Sequence, residues 1–110
     1  MNGVYEVDRA KWSTLDIFNQ MGNIYSEVGR TFTSSGTNRI QAMSRAIDLF
    51  DATADSLAKL KSPKLKEVLR AKEEYLRIAN AHYLDQTDIQ GLDRYFMHFA
   101  VAARLRSVHD

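Results

Sequence analysis

Cysteine is absent from this chain, proline occurs once, and glycine occurs five times in 110 residues. Without cysteine there are no disulfides, thiolate metal ligands or cysteine nucleophiles, and the chain suits a reducing compartment. Apolar runs near the roughly 18 residues a membrane span needs are also missing. The opening stretch MNGVYEVDRAKW carries acids where a secretion signal would place its apolar segment. These absences set the expectation of a soluble, cytoplasmic protein with no membrane partner. An excess of one charge is lacking too, because 15 Lys and Arg against 14 Asp and Glu leave a net charge of +1. Global charge therefore selects no nucleic acid, membrane or acidic partner, and only uneven placement can do so.

What is present is a 45% hydrophobic composition, enough to build a single core. Residues 1–11 have mixed charge and no periodicity and are expected to form an N-terminal arm. Residues 12–108 are expected to form one domain organised around LDRYFMHFAVAARLR, Leu92–Arg106. At helical spacing Leu92, Tyr95, Phe96, Phe99 and Ala103 make one apolar stripe of that segment, and Met97, Val101, Leu105 and Val108 make another on the opposite side. Such a helix is either wrapped by its neighbours or shared between a core and a partner chain.

The earlier helices follow from the same periodicity. Ser13 has the position of an N-cap, with Asp16 at the third helical residue and Trp12 placed to staple onto Ile17. In the helix after it, Ile17, Met21, Ile24, Val28 and Thr31 face a core. A row of small residues, Gly22, Ser26, Gly29 and Thr33, runs beside that face. Glycine inside a helix costs about 1 kcal/mol relative to alanine, so the row predicts close approach of another backbone or a bulky side chain. Ser34–Thr37 separates this helix from a second, running to Leu60 and burying Ile40, Met43, Ala46, Ile47, Phe50, Ala54 and Leu57. Ser62-Pro63 reads as a cap followed by proline at the first helical position. The third helix then reaches Leu84, burying Leu65, Val68, Leu69, Leu76, Ala79 and Tyr83. Thr87 with Gln90 offers a capping box for the fourth. Four helices with short connections predict an all-α, up-down-up-down antiparallel four-helix bundle.

The segments WSTLDIFNQMGNIYSEVGR, AIDLFDAT and LDRYFMHFAVAARLR resemble a group of short bacterial proteins of unassigned function, over Trp12 to Arg106. That resemblance implies no activity, substrate or catalytic residue. The expected architecture is also similar to the four-helix accessory proteins of bacterial reverse transcriptases, a likeness of fold alone.

Few constellations carry chemistry. A di-iron bundle needs Glu-x-x-His pairs, whereas Glu27, Glu67 and Glu74 are each followed three residues later by an arginine, Arg30, Arg70 and Arg77, the spacing of surface ion pairs. No metal or other cofactor is expected, and the Asp48, Asp51 and Asp55 row reads as a solvated face. Lys72 lies within an apolar stripe, so it should pair with Asp48 or Asp51 on the second helix. Arg77–His82 and Arg104–His109 both have Arg-x4-His spacing, which resembles the minimal motif of HEPN ribonucleases. In that reading Arg77 and His82 would be catalytic. Lys59, Lys61, Lys64 and Lys66 cluster at the turn between the second and third helices, at the bundle end expected to hold Arg9, Lys11, Arg104 and Arg106. This basic pole could bind nucleic acid weakly and without sequence preference.

The leading expectation is a non-enzymatic oligomerisation or protein-interaction module. It would be a homo-oligomer with Met97, Val101, Leu105 and Val108 at the seam, and a protein partner is a further option. A nucleic-acid-contacting accessory protein stands second and a HEPN-like ribonuclease third.

Overall fold

Capping, more than periodicity, decides where the helices begin. The computed structural model describes residues 6–109, and side chains through residue 105. Its helices are α1 (Arg9–Trp12), α2 (Ile17–Thr33), α3 (Gly36–Lys59), α4 (Leu65–Ala79) and α5 (Gln86–His109), with no strand among the described residues. Ser13 does not cap α2. Asp16 does, its carboxylate accepting from Asn19 N at 2.8 Å, because aspartate adds a negative charge at the positive end of the helix to an equally good hydrogen bond. Ser13 instead donates its hydroxyl to Ala10 O, closing α1. At α5, Asp85 likewise takes the place expected of Thr87, its Oδ1 accepting from Thr87 N at 2.8 Å and Asp88 N at 3.3 Å. Ser62 does not cap α4 and Pro63 is not its first residue: the helix starts at Leu65 behind Lys64, without a side-chain cap, and Ser62 Oγ accepts from Lys64 N at 3.1 Å within the preceding turn.

The expected N-terminal arm is structured from Val7 onward; residues 1–5 lie outside the described residues. Asp8 caps α1 by accepting from Lys11 N. Val7 N donates to Asp48 Oδ2 at 2.6 Å, Arg9 reaches Asp48 Oδ1 at 3.1 Å, and the buried Trp12 indole donates to Thr53 Oγ1 at 2.9 Å. With a further bond from Arg9 to Asp48 O at 3.0 Å, four bonds onto α3 hold a segment that shows no periodicity of its own.

The core is an aromatic chain that passes through all four long helices. Phe32 of α2 meets Tyr75 of α4 (6.1 Å between ring centres), Tyr75 meets Phe50 of α3 (5.8 Å), and Phe50 meets Phe96 of α5 (5.9 Å). Phe99 of α5 then returns to Phe18 of α2 at 6.3 Å. Each such pair contributes about 0.5 to 1.5 kcal/mol beyond the area it buries. Met21, Ile24, Val28, Ala46 and Val68 fill the space between them.

The organising element is α2, contrary to the expectation for Leu92–Arg106. α2 packs along both α3 and α5 and also touches α4, whereas one side of α5 is open. Gly22 faces α5 in this packing: a Cβ there would lie 3.5 Å from Ala100 Cα, an ordinary contact, so the row leaves no room beyond a methyl group. Gly29, in the same small-residue row, has nothing within 4 Å of that position and serves no close approach.

Two helix phases differ from expectation. α3 buries Ala42, Ala46, Leu49, Phe50, Ala52, Thr53 and Leu57, leaving Ile40 68% exposed and Met43, Ile47 and Ala54 half-buried. α4 buries Val68, Ala71, Tyr75, Ile78 and Ala79, so Leu69 is exposed and Leu65 and Leu76 are half-buried. Turning Tyr75 inward buries the largest ring on α4 and gives its hydroxyl a partner. α4 also ends five residues early. The Arg39 guanidinium takes the Ala79 carbonyl at 2.5 Å and Asn80 Nδ2 takes Leu76 O, capturing acceptors at the helix end. Tyr83 consequently stands outside any helix, 77% exposed.

Candidate functional site

α5 is divided lengthwise. Leu92, Phe96, Phe99 and Ala103 face the core, while Met97, Val101 and Leu105 are 43, 48 and 55% exposed. The exposed three follow one another at intervals of four residues, so they lie one above the next as a continuous stripe on the back of the helix. The side chains of Val108, Arg106 and His109 lie outside the described residues. Beneath the stripe, Tyr25 OH donates to Asp93 Oδ1 at 2.9 Å and fixes α5 against α2. Burial, and secondarily the Asp93 carboxylate, raises the Tyr25 phenol above its ordinary pKa.

Lys72 Nζ lies 2.7 Å from Asp51 Oδ1, joining α4 to α3. Asp48 is not part of this pair, since its carboxylate is taken by Val7 N and Arg9. Both Lys72 and Asp51 are partly exposed, which keeps the pair's contribution to well under about 1 kcal/mol.

Lys59, Lys61, Lys64 and Lys66 are all exposed around the α3–α4 connection, and none makes an ion pair among the described residues. Lys61 has a left-handed backbone (φ 53°), which turns the chain tightly at that point. Arg9 and Lys59 line one cleft of about 500 Å³ between α1 and the end of α3. Asp55 lines it as well, so the pole carries an acid that a reading of Lys59–Lys66 alone omits. The contact of Phe18 with Phe99 puts the start of α2 beside the last turns of α5, which carry the exposed Arg104.

Arg77 and His82 are not brought together as a reactive pair on one helix. Arg77 is held by Glu74 (2.5 and 3.1 Å) and faces Asp88 at 3.8 Å, while His82 lies exposed beyond the end of α4. Of the other expected Glu–Arg pairs, Glu27 binds Arg30, but Glu67 accepts from Tyr95 OH at 3.1 Å instead of taking Arg70. No group of three or more His, Cys, Asp or Glu gathers for a metal ion among the described residues, and none of their helices is long and apolar enough to cross a membrane.

A buried polar cluster escaped the sequence reading. Glu27 is 6% exposed; Thr31 and Tyr75 are fully buried and meet at 2.7 Å between hydroxyls. Burial pushes the Tyr75 phenol up to about 12. The available signal was spacing: Gln20, Ile24, Glu27 and Thr31 repeat at steps of four and three, so a carboxylate occupies a core position of α2. Comparison with protein-family models, curated proteins and solved structures gives no match.

Proposed function

We propose that this chain is a non-enzymatic helical module that works by assembling with further copies of itself through the back of α5. In this reading α2 to α5 form an up-down-up-down antiparallel four-helix bundle. The cross-helix contacts of Tyr25 with Asp93, Asp51 with Lys72 and Tyr95 with Glu67 support that order. The observation that carries the function is the Met97, Val101, Leu105 stripe, three apolar side chains about half exposed in one line. Isolated exposed apolar residues are ordinary, but a contiguous stripe marks an interface. It is also self-complementary: about a two-fold axis at Val101, Met97 of one copy meets Leu105 of the next.

Sedimentation or light scattering at tens of micromolar protein tests this reading. The parent chain should be larger than a monomer, and Val101→Glu should return it to monomer with its helix content intact, since that side chain is outside the core. A strictly monomeric parent overturns the proposal. A second reading, an accessory protein that contacts nucleic acid, is favoured by the four unpaired lysines at Lys59, Lys61, Lys64 and Lys66.

A further inference from the structure

α4 and α5 touch sparsely, and between them lies an open groove of about 750 Å³. That size falls within the range of small-molecule sites. Its apolar surface comes from Ala71 and Ile78 on α4 and from Gly91, Leu92 and Tyr95 on α5. Leu92 and Ile78 are buried members of the core and form the floor of the groove.

The charges around this groove are sorted. Every acid on its walls has a partner: Glu67 accepts from the neutral Tyr95 OH, and Glu74 and Asp88 share the Arg77 guanidinium. Burial, and then Glu67, raises the Tyr95 phenol above its ordinary pKa, and the phenol donates to that carboxylate at 3.1 Å. Lys66 and Arg70 line the same wall one turn apart and have no partner among the described residues. Lys66 stands in the first turn of α4, where the helix dipole also favours an anion.

Gly91 supplies an independent observation. It lies inside α5, where glycine is about 1 kcal/mol less favourable than alanine, yet a Cβ there would meet nothing within 4 Å. Gly91 lines the groove, and no described residue packs against that position.

We propose that the α4–α5 groove binds a small amphiphilic anion, its apolar body lying over Gly91, Leu92, Ile78 and Ala71 and its carboxylate or phosphate head held by Lys66 and Arg70. This site is separate from the α5 stripe and does not depend on self-assembly.

The test uses decanoate, decanol and decyltrimethylammonium, each below its micelle concentration, titrated into the full chain while backbone amide resonances are followed. Decanoate should bind saturably and shift Ala71, Ile78, Gly91 and Leu92. Decanol and decyltrimethylammonium should bind about tenfold more weakly, or not at all. The double variant Lys66→Ala/Arg70→Ala changes only exposed side chains and should weaken decanoate by a similar factor. Gly91→Leu should abolish binding without lowering the thermal midpoint. The proposal is overturned if decyltrimethylammonium binds as tightly as decanoate, or if the double variant binds decanoate like the parent. It also fails if the shifts centre on Met97, Val101 and Leu105, or if the folded parent shows no saturable binding. Should Gly91→Leu not fold, the double variant and the ligand comparison still decide the question.

Discussion

Tyr75 and Thr31 meet hydroxyl to hydroxyl at 2.7 Å, and both side chains are fully buried. Thr31 spends its own proton on Glu27 O at 2.9 Å, so Tyr75 is the donor between them. This contact fits the phase of α4, because the rotation that buries the Tyr75 ring also supplies its hydroxyl with an acceptor inside the core.

Replacing Tyr75 by Phe should cost about 1 kcal/mol, the net worth of one buried hydrogen bond, since the ring is kept and Thr31 retains its bond to Glu27 O. It should also change the alkaline response. Below about pH 10 the phenol is neutral in folded and unfolded chains alike, and pH has no leverage on it. Above pH 10 the unfolded chain releases the proton while the folded chain holds it to about pH 12. Stability therefore falls as pH rises through that window, by up to about 1.4 kcal/mol per pH unit. Urea unfolding between about pH 8 and about pH 12 should show a shallower decline for the variant. Burial raises Tyr25 and Tyr95 as well, so some slope should remain. Identical slopes for parent and variant would exclude Tyr75 as a source.

Trp12 anchors the N-terminal segment through its indole N–H to Thr53 Oγ1. Thr53→Val keeps the shape of the side chain but leaves that buried donor unpaired, at a cost of about 1 to 3 kcal/mol. Trp12→Ala removes the ring and should cost about 3 to 5 kcal/mol. Denaturation followed by circular dichroism measures both. Since Trp12 is the single tryptophan, its emission in Thr53→Val reports locally, and an unchanged spectrum with unchanged stability would show that the bond is not made in solution.

The sequence made the helical class legible because the apolar spacing repeats through every long helix, and the Ser34-Ser35 and Ser62-Pro63 breaks stand where helices stop and start. Its errors have physical causes. Periodicity ranks Ile40, Leu69 and Tyr83 as core residues by hydrophobicity alone, whereas burial of Tyr75 and the capture of Ala79 O by Arg39 depend on contacts 44 and 40 residues apart in the chain. The arm escaped recognition for the same reason, as its order comes from Asp48 and Thr53 on a distant helix. The unpaired lysines and the α5 stripe were legible because exposure of that kind follows from local composition. The α4–α5 groove was not, because a groove exists only between two helices whose separation the sequence does not state.

The glycines should separate by environment. Gly91→Ala and Gly29→Ala, with open space at each Cβ position, should each stabilise the chain by up to about 1 kcal/mol. Gly22→Ala places its methyl 3.5 Å from Ala100 Cα, an ordinary contact, and should be tolerated. Gly22→Leu drives a branched side chain into the α5 backbone and should cost about 1 to 3 kcal/mol. Chemical denaturation of the four variants checks this order, and a stable Gly22→Leu would mean that α2 and α5 are further apart than described.

The lysines at Lys59, Lys61, Lys64 and Lys66 make the accessory-protein reading testable through salt. Such a surface would contact phosphates without reading bases, since its cations are flexible and no groove-reading element accompanies them. Each lysine that neutralises a phosphate contributes about 0.9 to the slope of log affinity against log salt on duplex DNA, and somewhat less on single strands. Asp55 in the neighbouring cleft opposes part of that effect, so the four together should account for no more than about 3 to 4 units. RNA and DNA oligomers titrated at low and physiological salt, with the parent and a variant carrying Ala at all four positions, measure the difference. Binding that is weak, independent of sequence and lost in the variant supports a phosphate-contacting pole. Equal binding by parent and variant would move the contact away from this end of the molecule, and no binding by the parent at low salt would remove nucleic acid as a partner.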